Sequence, residues 1–162
     1  MEKKTEEFDI LVGTRPPART VGIKVRTNME HASRDCPALW QTFAPRMREI
    51  AGTGLGESYG ISVMAEGLDG GACVFDYWAA LPVGDHTPLP QGMEECRLPG
   101  GEYAYFEIPS LQRLAEGYAW FYETWLPGQS YSLDLKAPCF ELYPADYLRT
   151  GRIVLYFGLI KK

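Results

Sequence analysis

Histidine is nearly missing from this chain: His31 and His86 are the only two, each in a polar, loop-like setting. A Ser-His-Asp or Cys-His mechanism would have to rest on one of them, so nucleophilic triads are set aside. Cysteine is equally sparse. Cys36, Cys73, Cys96 and Cys139 lie far apart with no C-x-x-C pair, which excludes the usual zinc spacings and leaves four reduced, largely buried thiols. No metal and no cofactor is expected. The glycines of Gly52-x-Gly54-x-Gly56 follow a helical stretch and precede a strand, the reverse of a dinucleotide fingerprint, and read as a turn. No apolar run approaches the roughly 20 residues that cross a bilayer, and the charged start, Met1 to Asp9, has no signal-peptide core. The expectation is a cytoplasmic protein without a membrane partner. Positive charge is also short: 16 Lys and Arg against 21 Asp and Glu give a net charge of -5. Nucleic acid needs a basic patch that releases counterions, so no direct contact with it is expected. A neutral or cationic partner fits better.

What is present suffices for one folded unit. With 162 residues, 46% of them apolar, the chain can fill one core, so a single domain over 1–162 is expected. Val12 and the run Thr20 to Arg26 alternate with the period of a strand. Asp35 offers an N-cap with Pro37 just inside, and Leu39, Trp40, Phe43, Met47 and Ile50 share one helical face, kinked at Pro45. Two strand-like runs follow, Ser58 to Glu66 and Ala72 to Val83, joined by the turn signal Asp69-Gly70-Gly71. After a turn-rich connector, Glu95 to Ile108 alternates around Gly100-Gly101. Ser110 can cap a helix whose Leu111, Leu114, Tyr118, Phe121 and Trp125 step by threes and fours, and Pro127-Gly128 stops it. Pro138 to Tyr143 and Arg152 to Ile160 complete the chain as strands.

Both halves, about 8–83 and 92–162, therefore read β-α-β-β, and they can be laid on each other. Trp40 to Tyr59 and Phe121 to Phe140 both span 19 residues, which sets Gly60 against Glu141; on the last strands, Phe75 to Leu81 set against Ile153 to Leu159 brings Trp78 opposite Tyr156. The expected fold is α+β, two βαββ units related by pseudo-twofold symmetry, with one antiparallel sheet and two long helices on one face. Packing is least complete at such a seam, so a small-molecule site is expected between the helices.

Glu141 stands mid-strand between Phe140 and Leu142 on one face and beside Cys139 and Tyr143 on the other. An ionised carboxylate there needs a partner or shifts its pKa upward. A ligand cation can be that partner, held also by aromatic faces; an exposed Glu141, or one paired with Arg152, is the alternative. The candidate ligand contacts are Glu141, Trp40, Tyr59, Tyr77, Trp78, Tyr105, Trp120, Tyr122 and Tyr156. Tyrosine is given weight because its hydroxyl needs a partner when buried.

Val21-Gly22-Ile23, Asp35-Cys-Pro-Ala-Leu-Trp40-Gln-x-Phe43, Tyr59-Gly60, Phe75-x-Tyr77, Gly100-Gly-Glu-Tyr103-Ala, Tyr122-x-x-Trp125-Leu-Pro127 and Phe140-Glu141-Leu-Tyr143 occur in an order and spacing that resembles the GyrI-like effector-binding domain. That bacterial family includes the sensor halves of AraC-type and MerR-type multidrug-responsive activators and stand-alone forms similar to integron-cassette drug-binding proteins. The likeness covers Phe8 to Lys161. It implies two fused β-α-β-β units and a pocket in which Glu141, joined by Tyr156 on the final strand, faces lipophilic, often cationic compounds. With no segment left over for a helix-turn-helix, any transcriptional role would need a regulatory partner protein. Two alternatives come from the same family: a hydrolase of reactive small molecules using Glu141 with Tyr77 or Tyr156, and an inhibitor that binds a topoisomerase. The chain departs from the family's pattern in its long loop Gly84 to Met93 and in Lys136-Ala137 ahead of the Pro-x-Phe-Glu segment.

Overall fold

The computed structural model describes residues 8–50, 56–64, 74–134 and 136–162. The expected Gly52 to Gly56 turn falls largely, and the Asp69-Gly70-Gly71 turn and Cys73 wholly, outside the described residues. Among the described residues nine strands form: β1 Leu11–Arg15, β2 Ala18–Asn28, β3 Ser58–Met64, β4 Val74–Val83, β5 Glu94–Leu98, β6 Gly101–Ile108, β7 Tyr131–Leu133, β8 Cys139–Tyr143 and β9 Ile153–Lys161. Helix α1 covers Ala32–Phe43, α2 covers Leu114–Ala119, and a four-residue α3 covers Tyr147–Thr150. All pairings are antiparallel, in the order β1-β6-β9-β8-β3-β4-β2-β5, with β7 beside β9.

The two ends of that order are joined in the chain by only Pro16-Pro17 and by Pro99-Gly100. Two residues reach at most about 7 Å, whereas eight strands laid flat at about 4.8 Å would hold the ends more than four times that far apart. The sheet must therefore curl. Its register shows how: Leu11 to Arg15 pair with Tyr105 to Gly101, and Ala18 to Gly22 pair with Leu98 to Glu94, one uninterrupted ribbon broken only at the prolines. One end of the ribbon joins β4 through β2, the other joins β9 through β6. The circuit is closed by β9-β8-β3-β4, which protects most edges. At the crossing Gly100 is required, because a Cβ there would lie 2.8 Å from Pro17 Cδ.

Closure gives the sheet an inner and an outer face. The inner cluster holds Tyr59, Ile61, Trp78, Ala80, Leu98, Tyr103 and Phe140. Both helices lie outside, each on its own half. Phe43 of α1 packs with Val21, Ala79 and Leu81. Phe121 stacks on Phe157 at 3.8 Å among Ala104, Phe106 and Leu155. Burial of each such ring is worth about 1.5–3 kcal/mol. Gly117 lets the second helix approach, since a Cβ would meet Ile108 Cδ1 at 2.3 Å.

Helix starts differ from the sequence reading. α1 begins at Ala32, with His31 at the cap position, so Asp35 and Pro37 lie inside it. Asp35 instead accepts from Thr27 Oγ1 at 2.8 Å and Arg34 Nε at 3.0 Å. The helix does end before Pro45, which opens a 3₁₀ segment, Ala44–Glu49. Ser110 is extended and its side chain makes no cap. The second helical stretch is composite: a 3₁₀ turn at Leu111–Arg113, α2, a π-helical turn at Trp120–Trp125 and a final 3₁₀ turn at Leu126–Gly128. Among the described residues no helix is long and apolar enough to cross a membrane.

The displacement that carries Trp40 to Phe121 and Tyr59 to Phe140 carries Gly60 to Glu141, and Gly60 pairs with Glu141 across β3 and β8. A residue that pairs with its own counterpart lies on the local twofold. The last strands need a correction. Tyr59 pairs with Ala80 while Phe140 pairs with Tyr156, so the counterpart of Tyr156 is Ala80, two residues beyond Trp78.

Candidate functional site

Strand alternation turns Glu141 and Tyr143 of β8, and Tyr77 of β4, to the outer face beneath the helices. α1 brings Trp40 and α2 brings Tyr118 to the same point. Glu141 is buried, at 6% relative exposure. Tyr77 and Tyr143 donate to its Oε1 at 3.0 and 2.7 Å, and Tyr118 donates to Oε2 at 2.9 Å. Trp40 Nε1 donates to the Tyr77 hydroxyl at 3.0 Å, and the Trp40 ring meets Tyr143 edge-on at 5.4 Å. Gly60 makes this possible: a Cβ on it would lie 2.2 Å from the Tyr77 hydroxyl and 2.7 Å from Glu141 Oε1.

Among the described residues no lysine, arginine or histidine pairs with Glu141. Arg152 ion-pairs with Glu107 and Asp146 instead. Burial pushes the Glu141 carboxyl above its ordinary value, while the bonds from Tyr143, Tyr118 and Tyr77 work the other way. Burial, and then the facing carboxylate, push the Tyr77, Tyr118 and Tyr143 phenols up, so all three remain donors. Cys36 on α1 is a further neighbour; burial first, then Glu141, push its thiol up to about 12. The assembly is a carboxyl group in a ring of neutral donors, with no basic partner among the described residues.

Of the residues named from the sequence, the structure brings together Glu141, Tyr77 and Trp40. Tyr156, Tyr59, Trp78 and Tyr105 lie on the inner face. Tyr156 pairs with Phe140 and stacks on it at 4.7 Å, so alternation turns it away from Glu141. Trp78 lies under Lys24, whose Nζ is 5.2 Å from the ring centroid. Tyr122 is 42% exposed on the π-helical turn. Trp120 packs edge-on to Phe8, and its buried Nε1 has no hydrogen-bond partner among the described residues. Sequence reasoning passed over two of the three donors: Tyr143, two residues from Glu141 on the same face, and Tyr118, read only as part of an apolar stripe.

Glu141 lines neither of two surface hollows found among the described residues, of about 300 and 520 Å³. The smaller lies on the outer face, between Met47, Leu81 and Ser58, and Ser58 is the strand partner of Tyr143.

Residues 12–159 match the profile of a family described as integron-associated effector binding proteins. No curated protein sequence matches the chain. Among solved structures, an integron cassette protein from the mobile metagenome of Vibrio cholerae aligns with a TM-score of 0.61 and 15% identity, over 94% of this chain and 97% of that one. SAV2435 bound to tetraphenylphosphonium aligns at 0.68 with 14% identity, over 96% and 94%. EcmrR, in a complex with DNA, aligns at 0.64 with 12% identity, over 96% of this chain but 58% of its own.

Proposed function

Because the chain belongs to the family of integron-associated effector binding proteins, we propose that it binds lipophilic organic cations, with the positive centre set against Glu141. The observation that carries this reading is the buried carboxylate with three tyrosine donors and no basic partner among the described residues. Such a group is costly to ionise in isolation and gains most from a cation that arrives already desolvated. Trp40, Tyr77, Tyr118 and Tyr143 offer ring faces for the apolar substituents, each cation–π contact being worth about 0.5–2 kcal/mol. The hollow of about 300 Å³ beside Ser58 gives the ligand body room on the same face. The carboxylate is covered, so the ligand reaches it by displacing Trp40 of α1 and Tyr118 of α2, and the π-helical turn that follows α2 is a feature that recurs at functional sites. Binding of this kind orders both helices at once. A regulatory partner protein that reads their spacing would turn occupancy into a transcriptional signal.

Tetraphenylphosphonium and the uncharged triphenylphosphine oxide are the test pair. Native protein should melt higher and show quenched tryptophan fluorescence with the cation, and respond weakly to the neutral compound. Glu141→Gln should lose the difference between them. Equal cation affinity in Glu141→Gln and native protein would overturn the assignment.

A further inference from the structure

β1 sends a cation into the inner face of the curled sheet. The Arg15 guanidinium lies 4.5 Å from the Tyr156 ring centroid and 5.4 Å from that of Phe140, and its Nη2 donates to the Tyr59 hydroxyl at 3.2 Å. Arg19, Arg26, Arg34, Arg46, Arg97, Arg113, Arg149 and Arg152 each face a carboxylate. Arg15, half-buried, has no acidic partner among the described residues. Beside Tyr59, the guanidinium also faces the Tyr156 hydroxyl, a second neutral acceptor, and no carboxylate among the described residues. Because Arg15 is only half-buried, part of it reaches solvent at the rim of the inner face. A half-buried cation held by ring faces and the hydroxyls of Tyr59 and Tyr156, with no carboxylate among the described residues, keeps its charge free to meet an anion.

The surroundings define what would complete it. Tyr105 stacks on Tyr156 at 5.4 Å and 17°, extending the aromatic floor beyond Arg15. Gly13, paired with Tyr103 on the same face, leaves the edge of Tyr105 uncovered, for a Cβ there would only graze that ring at 3.4 Å. The forked guanidinium matches a carboxylate in two parallel hydrogen bonds, and a stacked tyrosine pair favours a flat body next to it. We propose that this rim binds a carboxylate carried on a planar, unsaturated body, at a site separate from Glu141 and on the opposite face of β8.

Benzoate is the probe, titrated into the full chain and followed by calorimetry and by the aromatic NMR signals. Native protein should bind it saturably, and cyclohexanecarboxylate and inorganic sulfate should bind more weakly. Arg15→Gln should weaken benzoate by about tenfold or more, the size of a lost charge-assisted hydrogen bond. Glu141→Gln should bind benzoate as native protein does, so this site stands or falls apart from the cation site. Undiminished affinity in Arg15→Gln, no saturation by benzoate, or sulfate binding as well as benzoate would each overturn the proposal. Should Arg15→Gln not fold, Tyr105→Leu at the rim carries the test: weaker benzoate binding supports the site and unchanged binding refutes it.

Discussion

Replacing Glu141 by glutamine should make the ligand-free protein more stable at neutral pH, although the substitution removes the residue that three hydroxyls hold. The carboxyl has its folded-state pKa raised, chiefly by burial. For an acid shifted in that direction the unfolded chain ionises first. Stability is therefore greatest below the ordinary carboxylate range and falls as pH rises from there through the folded-state pKa, after which the loss is complete. Each tenfold change in proton affinity corresponds to about 1.4 kcal/mol. The three tyrosine bonds offset part of this, at about 1.5–3 kcal/mol apiece for a charged acceptor. Glutamine keeps an acceptor oxygen for Tyr77 and Tyr143, and Tyr118, which faces Oε2, can turn its hydroxyl to accept from the amide. What remains is the relieved cost of a buried charge, about 1–3 kcal/mol, or several degrees in melting temperature for a chain of this length. Urea unfolding of both proteins should be followed from about pH 4 to about pH 8, the span over which a raised carboxyl titrates. The curves should meet at the acid end and separate as pH rises, the glutamine variant lying above. A variant less stable than native at neutral pH, or a separation that does not change with pH, would refute the reasoning. Added lipophilic cation should reverse the order, because it binds only the ionised form.

Gly60→Ala should cost about 2 kcal/mol or more by an overpacking route, since its methyl would lie 2.2 Å from the Tyr77 hydroxyl, and should abolish cation binding; chemical denaturation and thermal shift with tetraphenylphosphonium check both. The Cys36 thiol, pushed up to about 12 by burial and by Glu141, should react slowly with iodoacetamide at neutral pH and faster in Glu141→Gln, measured with the other three cysteines changed to serine.

The strands that carry the site were legible in the sequence because alternation is local. β4, β8 and β9 each coincide with a strand-like run and β6 with the alternation from Glu95 to Ile108, and the counterpart relation between Gly60 and Glu141 followed from spacing alone. Burial of Glu141 was one of two readings its apolar neighbours allowed, the other being an exposed side chain or a pair with Arg152, and the structure buries it. What alternation could not supply was which partner each face would meet. Tyr156 looked like a companion of Glu141 until the register with Phe140 placed it on the other face. Tyr118 looked apolar because a helical stripe says where a ring points and nothing about where its hydroxyl ends. The start of α1 was misplaced by four residues because Asp35, the best capping residue nearby, is drawn to Thr27 and Arg34 instead. Curling of the sheet was hidden for a different reason: it depends on two proline-bearing bridges matched in register across most of the chain, a long-range fact that no window of sequence contains.

The pairing of Gly60 with Glu141 has a consequence for what a fused duplicate can do that two separate copies cannot. In a dimer of identical chains, any residue on the symmetry axis faces itself, so the centre holds either two acids that repel or two glycines that offer nothing. Joining the copies into one polypeptide lets the two positions diverge. Here one is a bare backbone, and the space a side chain on it would fill is where the other's carboxyl group, with the Tyr77 hydroxyl beside it, is accommodated.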